Sequence, residues 1–228
     1  MVTFNVYDRV FFVRGREYGT AFALNVDGRQ YIISARHVIG DGARPSSLSV
    51  LLNKQLIELP VTWIGEGKGE IDISVLSPSR PIIEDVPFET SLGVVVGQDV
   101  YYVGFPLMLW ANGGELMRGR PLPFVKRGTL SAGWNWDAES TSKSVFVDTI
   151  STKGFSGGPL VFVDHATGLL KLAGVVAKYK TTYEKVLERT GAETGNGVEL
   201  NTGLMLAYGI NHALDIIRAN PTGLPVAR

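Results

Sequence analysis

Short runs rich in β-branched and aromatic residues, each closed by a turn signal, recur along almost the whole chain, and this rhythm restricts it to an all-β fold. "RVFFV" (9–13) and "GTAFALNV" (19–26) open the series, and Asp27-Gly28 then joins the second run to "RQYIISA" in the manner of a tight hairpin. "LSVLL", "IELPVTWIG" and "IDISVLS" continue it to residue 77. "PSRPIIEDVPFETS" (78–91), with Pro78, Pro81 and Pro87, reads as an extended link. A second series follows: "VVVGQDVYYVGFP", "KRGTLSAGW", "KSVFVDTI", "GPLVFVD", "LLKLAGVVAKYK" and "GLMLAYGI". Two groups of about six strands imply two six-stranded antiparallel β-barrels. The expected division is a first barrel over 1–80, a link over 81–93 and a second barrel over 94–228. Residues 107–123 and 181–202 interrupt the pattern as long inserts, the latter with a short helical turn expected at "YEKVLER". Asn211 is the expected N-cap of one terminal helix over about 211–219, with Pro221 beyond its end.

Composition narrows the function classes. The 228 residues carry 22 basic and 22 acidic side chains, a balance that gives no reason to expect a nucleic-acid partner. Arg118, Arg120, Lys126 and Arg127 cluster in sequence but read as solvated loop charges. No apolar run approaches the roughly 20 residues of a membrane span, so no membrane partner is expected. The first residues, "MVTFNVYDRVFFVRG", lack the basic and apolar regions of a signal peptide. With no cysteine, the chain can form no disulfide or thiolate site, and the expectation is a reducing, cytoplasmic setting. The histidines are not paired in the manner of a zinc site, so no metal or other cofactor is expected.

One stretch carries chemistry. In "STKGFSGGPL" (151–160), Gly154-Phe155-Ser156-Gly157-Gly158 fits Gly-x-Ser-x-Gly, a frame for nucleophilic serines on two unrelated folds. The α/β-hydrolase version needs a helix directly after the serine, with an acid and then a histidine downstream; Asp164 or Asp215 and His165 or His212 would have to serve. Two glycines, a proline and the strand-like "LVFV" follow instead, and that version fails. The other order is histidine, aspartate, serine. His37 ends the apolar run of "YIISARHVIG", and Asp72 lies between Ile71 and Ile73 in "EIDISVLS". A carboxylate between isoleucines is costly to bury unless a partner such as a histidine ring N–H compensates it. Glu70 reads as solvated, and His165 and His212 as surface residues. Ser156 would then attack, with His37 as base and Asp72 orienting His37, while the amides of Gly154 and Ser156 hold the oxyanion.

These segments resemble the chymotrypsin-like serine proteases, in particular the cysteine-free branch similar to the HtrA (Deg) proteases. "SARHV", "DISVL" and "GFSGGPL" match the histidine, aspartate and serine motifs in the family's order, and "YYVGFP" and "VKRGTLSA" match strand ends of its second barrel. The resemblance implies a serine endopeptidase acting on polypeptide substrates. Two positions depart from it. Arg36 stands where a small residue is commoner, and Phe155 replaces the aspartate that receives a new N-terminus in digestive-type enzymes. The resemblance also puts the residue six before the serine, Ile150, at the base of the primary pocket. The walls are expected from Ala177, Lys178 and Tyr179 and from Leu206. Such a pocket would favour small or medium apolar residues before the scissile bond, with Asp148 the side chain that could reverse the preference. The alternative is a catalytically latent protease-fold module that acts as a peptide-binding or scaffolding domain.

Overall fold

The structure, a computed structural model, describes residues 2–134, 140 and 142–226. A single helical turn, α1 (Phe4–Tyr7), leads into β1 (Val10–Arg14), β2 (Tyr18–Val26) and β3 (Arg29–Ser34). After the one-turn α2 (Arg36–Ile39) come β4 (Ser47–Leu52), β5 (Gln55–Glu66) and β6 (Ser74–Pro78). Asp27 and Gly28 both have positive φ, 50° and 71°, as a two-residue hairpin between right-twisted strands requires. The strands lie antiparallel in the order β3-β2-β1-β4-β5-β6, and the pairing of Ile32–Ser34 with Leu76, Val75 and Ser74 closes the sheet on itself.

The second half begins with β7 (Asp99–Gly104), later than the "VVVG" run. The insert over 107–123 is irregular, as expected; it contains the two-residue β8 (Ala111–Asn112) and β9 (Pro121–Leu122), paired with each other. Then follow β10 (Phe124–Ala132), β11 (Ser144–Asp148), β12 (Pro159–Val163), β13 (Leu170–Leu187), β14 (Glu193–Gly209), α3 (Ile210–Ala219) and β15 (Leu224–Pro225). Strands β10-β11-β14-β13-β12-β7 form a closed barrel.

Three expectations are corrected. Residues 181–202 contain no helical turn, because β13 and β14 run on past the barrel as one long hairpin. Tyr183 and Leu187 have helical spacing but are 70% and 56% exposed, so a helix there would have had no surface on which to bury that stripe. The cap of α3 is Gly209 rather than Asn211, whose buried Oδ1 has no hydrogen-bond partner among the described residues. Finally, the chain beyond the second barrel returns to the first: α3 packs on β5 as well as β13, and β15 pairs with Arg29 and Gln30 of β3.

Most barrel strands are buried on both faces, which explains their near-continuous apolar runs. On β1, Phe11 and Val13 join a cluster with Ile32, Leu48 and Leu76 of the same barrel. Val10 and Phe12 face the other way, into a cluster shared with Val103, Phe105, Val161 and Tyr208 of the second half and with Ala213 and Ile217 of α3. A third cluster, including Tyr102, Leu130, Leu160 and Met205, belongs to the second barrel.

Polar contacts join the halves at Thr20, which is fully buried on β2. Its amide donates to the Ser156 carbonyl (2.9 Å) and its Oγ1 to the Gly154 carbonyl (2.7 Å). The same Oγ1 accepts from the Phe105 amide at 3.2 Å. Thr20→Val keeps the branched shape but strands a buried carbonyl and a buried amide, and should cost about 1–3 kcal/mol. A lower urea midpoint at unchanged slope is the expected result, and an unchanged midpoint would contradict it.

Candidate functional site

The site lies where these elements end at the seam between the barrels. His37 is placed by α2, the turn that follows β3, and Asp72 by the segment leading into β6, which pairs with β3. The two side chains therefore start from neighbouring strand ends. Asp72 Oδ2 lies 2.6 Å from His37 Nδ1, and Asp72 Oδ1 accepts the His37 backbone amide at 3.0 Å. Both carboxylate oxygens thus hold the one residue, which fixes the orientation of the ring.

The electrostatics follow from this pairing. Burial disfavours charge on His37, but the hydrogen bond and charge of Asp72, with Glu17 and Asp41 adding to them, raise its pKa overall. Burial likewise disfavours the Asp72 carboxylate, and its contacts with His37, together with the charge of Arg36, outweigh that and lower its pKa. Arg36 also has a structural part that its sequence position did not reveal. Its guanidinium donates to the carbonyls of Gly67 (2.7 Å) and Gly69 (2.9 Å) and to Asp41 (2.9 Å). It therefore ties α2 to the loop that leads to Asp72.

Ser156 sits in the loop between β11 and β12, and lines the same cleft as His37. Phe155 turns into the second-barrel core, 1% exposed, with its ring centroid 4.8 Å from that of Tyr102 in an edge-to-face contact. An aromatic plug thus anchors this loop at the position where digestive-type enzymes use an ion pair. Gly154 has φ of 103°, and a Cβ there would meet the Phe105 carbonyl oxygen at 2.1 Å. Gly157 has φ of 84°, and a Cβ would meet the Thr20 carbonyl oxygen at the same distance. Both glycines are therefore required for backbone geometry and close approach. Among the described residues, the amides of Gly154 and Ser156 donate to no protein group, whereas those of Gly157 and Gly158 bond to Val176 and Phe155. The Ser156 hydroxyl donates to the Ala177 carbonyl at 2.8 Å. Ala177 is the extra residue of a bulge, since Val176 and Lys178 pair with the consecutive residues Ala207 and Leu206 of β14.

His37, Gly154 and Ser156 line one cleft of about 310 Å³, together with Ala177, Lys178 and Tyr179. Glu17, Lys153, Thr181 and Glu199 complete it, and the sequence had not singled these out; as charged or hydroxyl residues in loops and an exposed hairpin they carry no signal without the fold. Two expected pocket residues are not among the lining. Ile150 is 66% exposed, and Leu206 is 5% exposed in the core. Asp148 is an exposed residue outside the cleft. Glu70 is exposed and accepts hydrogen bonds from Ser140 and Ser142, which lower its pKa. His212 accepts from the Lys143 amide at 2.9 Å, with its pKa lowered by burial, and His165 lies in an exposed turn.

A family model for the trypsin-like peptidase domain matches residues 19–169, a span that includes His37, Asp72 and Ser156. The chain belongs to the trypsin-like peptidase family. No curated protein matches it by sequence. Among solved structures, the Rv3671c protease of M. tuberculosis in an inactive form is 14% identical, with a TM-score of 0.59 over 95% of this chain and 90% of that one. The serine endoprotease from Yersinia pestis is 18% identical, with a TM-score of 0.58 over 96% of this chain and 66% of that one. The HtrA-type protease AlgW with a tripeptide is 20% identical, with a TM-score of 0.56 over 96% of this chain and 63% of that one. At these identities the likeness is one of fold. It is the fold expected of a trypsin-like peptidase: two antiparallel β-barrels, without a cysteine, and a short helix near the end.

Proposed function

We propose that this trypsin-like peptidase domain is a serine endopeptidase in which Ser156 attacks the scissile carbonyl. The observation that carries the proposal is the double hold of Asp72 on His37, through Nδ1 at 2.6 Å and the amide at 3.0 Å, in a cleft shared with Ser156. Asp72 fixes the tautomer with the proton on Nδ1, which leaves Nε2 free to accept the Ser156 proton. Rotation of the Ser156 hydroxyl away from the Ala177 carbonyl precedes that transfer, and substrate binding is the event that brings it about. As Oγ bonds to the carbonyl carbon, the developing oxyanion takes the amides of Gly154 and Ser156 as donors. His37 then returns its proton to the leaving amine, and water repeats the sequence on the acyl-enzyme. No cofactor enters any step.

Loss of the nucleophile and loss of the tautomer control have separate, sizeable effects. Ser156→Ala and Asp72→Asn should each lower kcat by about 10⁴-fold with the fold intact. Only the serine change should abolish labelling by a fluorophosphonate probe. Hydrolysis within tenfold of the parent in either variant would refute the assignment.

The pH dependence has a definite sign. Neutral His37 is the base, and its pKa is raised above the ordinary 6.5, so the acid limb of kcat/KM should lie on the alkaline side of that value. Activity is lost as the pH falls through this limb and the imidazole protonates. Asp72→Asn removes the charge that raises the pKa and should move the limb to lower pH. A rate profile from pH 5 to 9 reads both effects; a flat profile in the intact protein would exclude His37.

The proposed preference is for a small or medium apolar side chain before the scissile bond. Ala177 and Gly154, the buried part of the lining, offer no carboxylate, and the charged residues Glu17, Lys153, Lys178 and Glu199 are all exposed. Burying an unpaired cation against that surface would cost several kcal/mol, whereas each methylene gains about 1–3. A peptide-library profile should show Ala, Val, Leu or Ile at this position, and dominance of Arg or Lys would overturn the preference.

A second reading, a latent peptide-binding domain, is favoured by one observation: the Ser156 hydroxyl is bonded to Ala177 rather than to His37. A folded protein that binds peptide but stays unlabelled by the fluorophosphonate would select it.

A further inference from the structure

The hairpin that replaces the expected insert has a free edge. At Val176 the outer edge of β13 is taken by the nucleophile loop, with Gly157 N–H donating to its carbonyl (2.7 Å) and its own amide donating to Gly158 (2.9 Å). One residue on, the Ala177 carbonyl takes the Ser156 hydroxyl. From Lys178 to Leu187, β13 pairs with β14 alone among the described residues. Thr181–Lys185 pairs residue for residue with 201–197, and register shifts bound this stretch on both sides. Bulges and the exposed Lys178 and Lys180 protect such an edge from self-association. The regular middle remains an open ladder of backbone donors and acceptors.

One face of the arm continues the cleft. Residues directly opposite in a sheet share a face, so Thr181 and Asn201, Tyr183 and Glu199, and Lys185 and Gly197 lie together. Thr181 and Glu199 line the cleft beside Ser156. Beyond them the Tyr183 ring lies across Gly197, where a Cβ would come within 2.0 Å of the ring, and the tyrosine is still 70% exposed. The glycine therefore lets an aromatic ring lie flat on the arm with its outer side open.

We propose that the β13–β14 arm is a substrate-docking edge, to which an extended stretch of polypeptide adds as a further antiparallel strand beyond Tyr179, against Tyr183. The inference rests on the peptidase reading and concerns recognition remote from the scissile bond. β13 runs away from Ser156, so an antiparallel strand on its outer edge runs toward Ser156 and is the part of the substrate N-terminal to the cut. Antiparallel pairing is the slightly stronger kind, and the span from Lys178 to Leu187 is about 30 Å at 3.3 Å per residue. Main-chain bonds supply the affinity in this mode, so the substrate class is unfolded or extended polypeptide rather than a particular sequence.

Binding to full-length Ser156→Ala protein tests the idea independently of turnover. The probes are a fluorescein-labelled ten-residue peptide of alternating Val and Thr ending in Ala, its four-residue C-terminal piece, and the ten-residue peptide N-methylated at every amide beyond the fifth residue from its C-terminus. The unmodified long peptide should bind at least tenfold more tightly than the short one, and N-methylation should remove that gain. Replacing residues 184–198 by Asn-Gly, which joins the facing pair Tyr183 and Glu199, should also reduce the gain while leaving the short peptide's Kd unchanged. Equal affinity of the long and short peptides within twofold, or a gain that survives N-methylation, would overturn the proposal. Hydrolysis by the parent protein of the short peptide carried as its Ala p-nitroanilide, which supplies the leaving amine, is read in parallel and reports on the peptidase reading alone.

Discussion

The loop that carries Ser156 has the same partner residue at two points, and that residue belongs to the other barrel. Thr20 takes the carbonyls of Ser156 and Gly154 through its amide and its hydroxyl, and Gly157 is a glycine because the Thr20 carbonyl lies where its Cβ would be. Ser34, at the end of β3, donates to that same carbonyl at 2.7 Å, just before α2 and His37. One buried threonine thus couples the loop that carries the serine to the strand that leads to the histidine. The relative position of His37 and Ser156, divided between two barrels, depends on a junction of this kind, because rigid-body movement of either barrel would separate the two groups.

A second constraint is electrostatic and lies within the first barrel. Asp72 is kept ionised in a half-buried position by its two contacts with His37 and by the charge of Arg36, and without them burial would push its pKa upward. Arg36 also joins the two chain segments that bear His37 and Asp72. The arginine that departs from the commoner pattern therefore supports the geometry of the pair. Phe155 has a similar part in the second barrel, holding the serine loop by apolar packing against Tyr102.

The cleft and the arm form one continuous surface. The bulge at Ala177 turns its carbonyl to Ser156, and the same strand leaves the barrel four residues later with its outer edge unpaired among the described residues. Backbone groups rather than charged pockets dominate what this surface offers to a chain lying on it, because its charged residues are exposed and of both signs.

Short β-branched and aromatic runs, turn residues and prolines were enough to read two barrels, since strands buried on two faces leave a strong apolar signal. The candidate residues His37, Asp72 and Ser156 were singled out as well. Each stands out locally against its neighbours: a histidine closing an apolar run, an acid between isoleucines and a serine among glycines. Other features had no such local mark. Thr20 is one polar residue in an apolar strand, and its partners are more than 80 residues away. "YEKVLER" has helical spacing, yet its residues 183–187 became strand because β14 lies beside them and no apolar surface does. Counting back from Ser156 to Ile150 gave a position in the chain but not its exposure, which depends on the path of the loop. The sequence by itself determined the barrel strands up to residue 180 and the chemical types at the candidate site, because these are set by local pattern. Tertiary structure alone decided which edges stay open, which residues line the cleft and where the serine hydroxyl points, because each depends on contacts between residues remote in the chain.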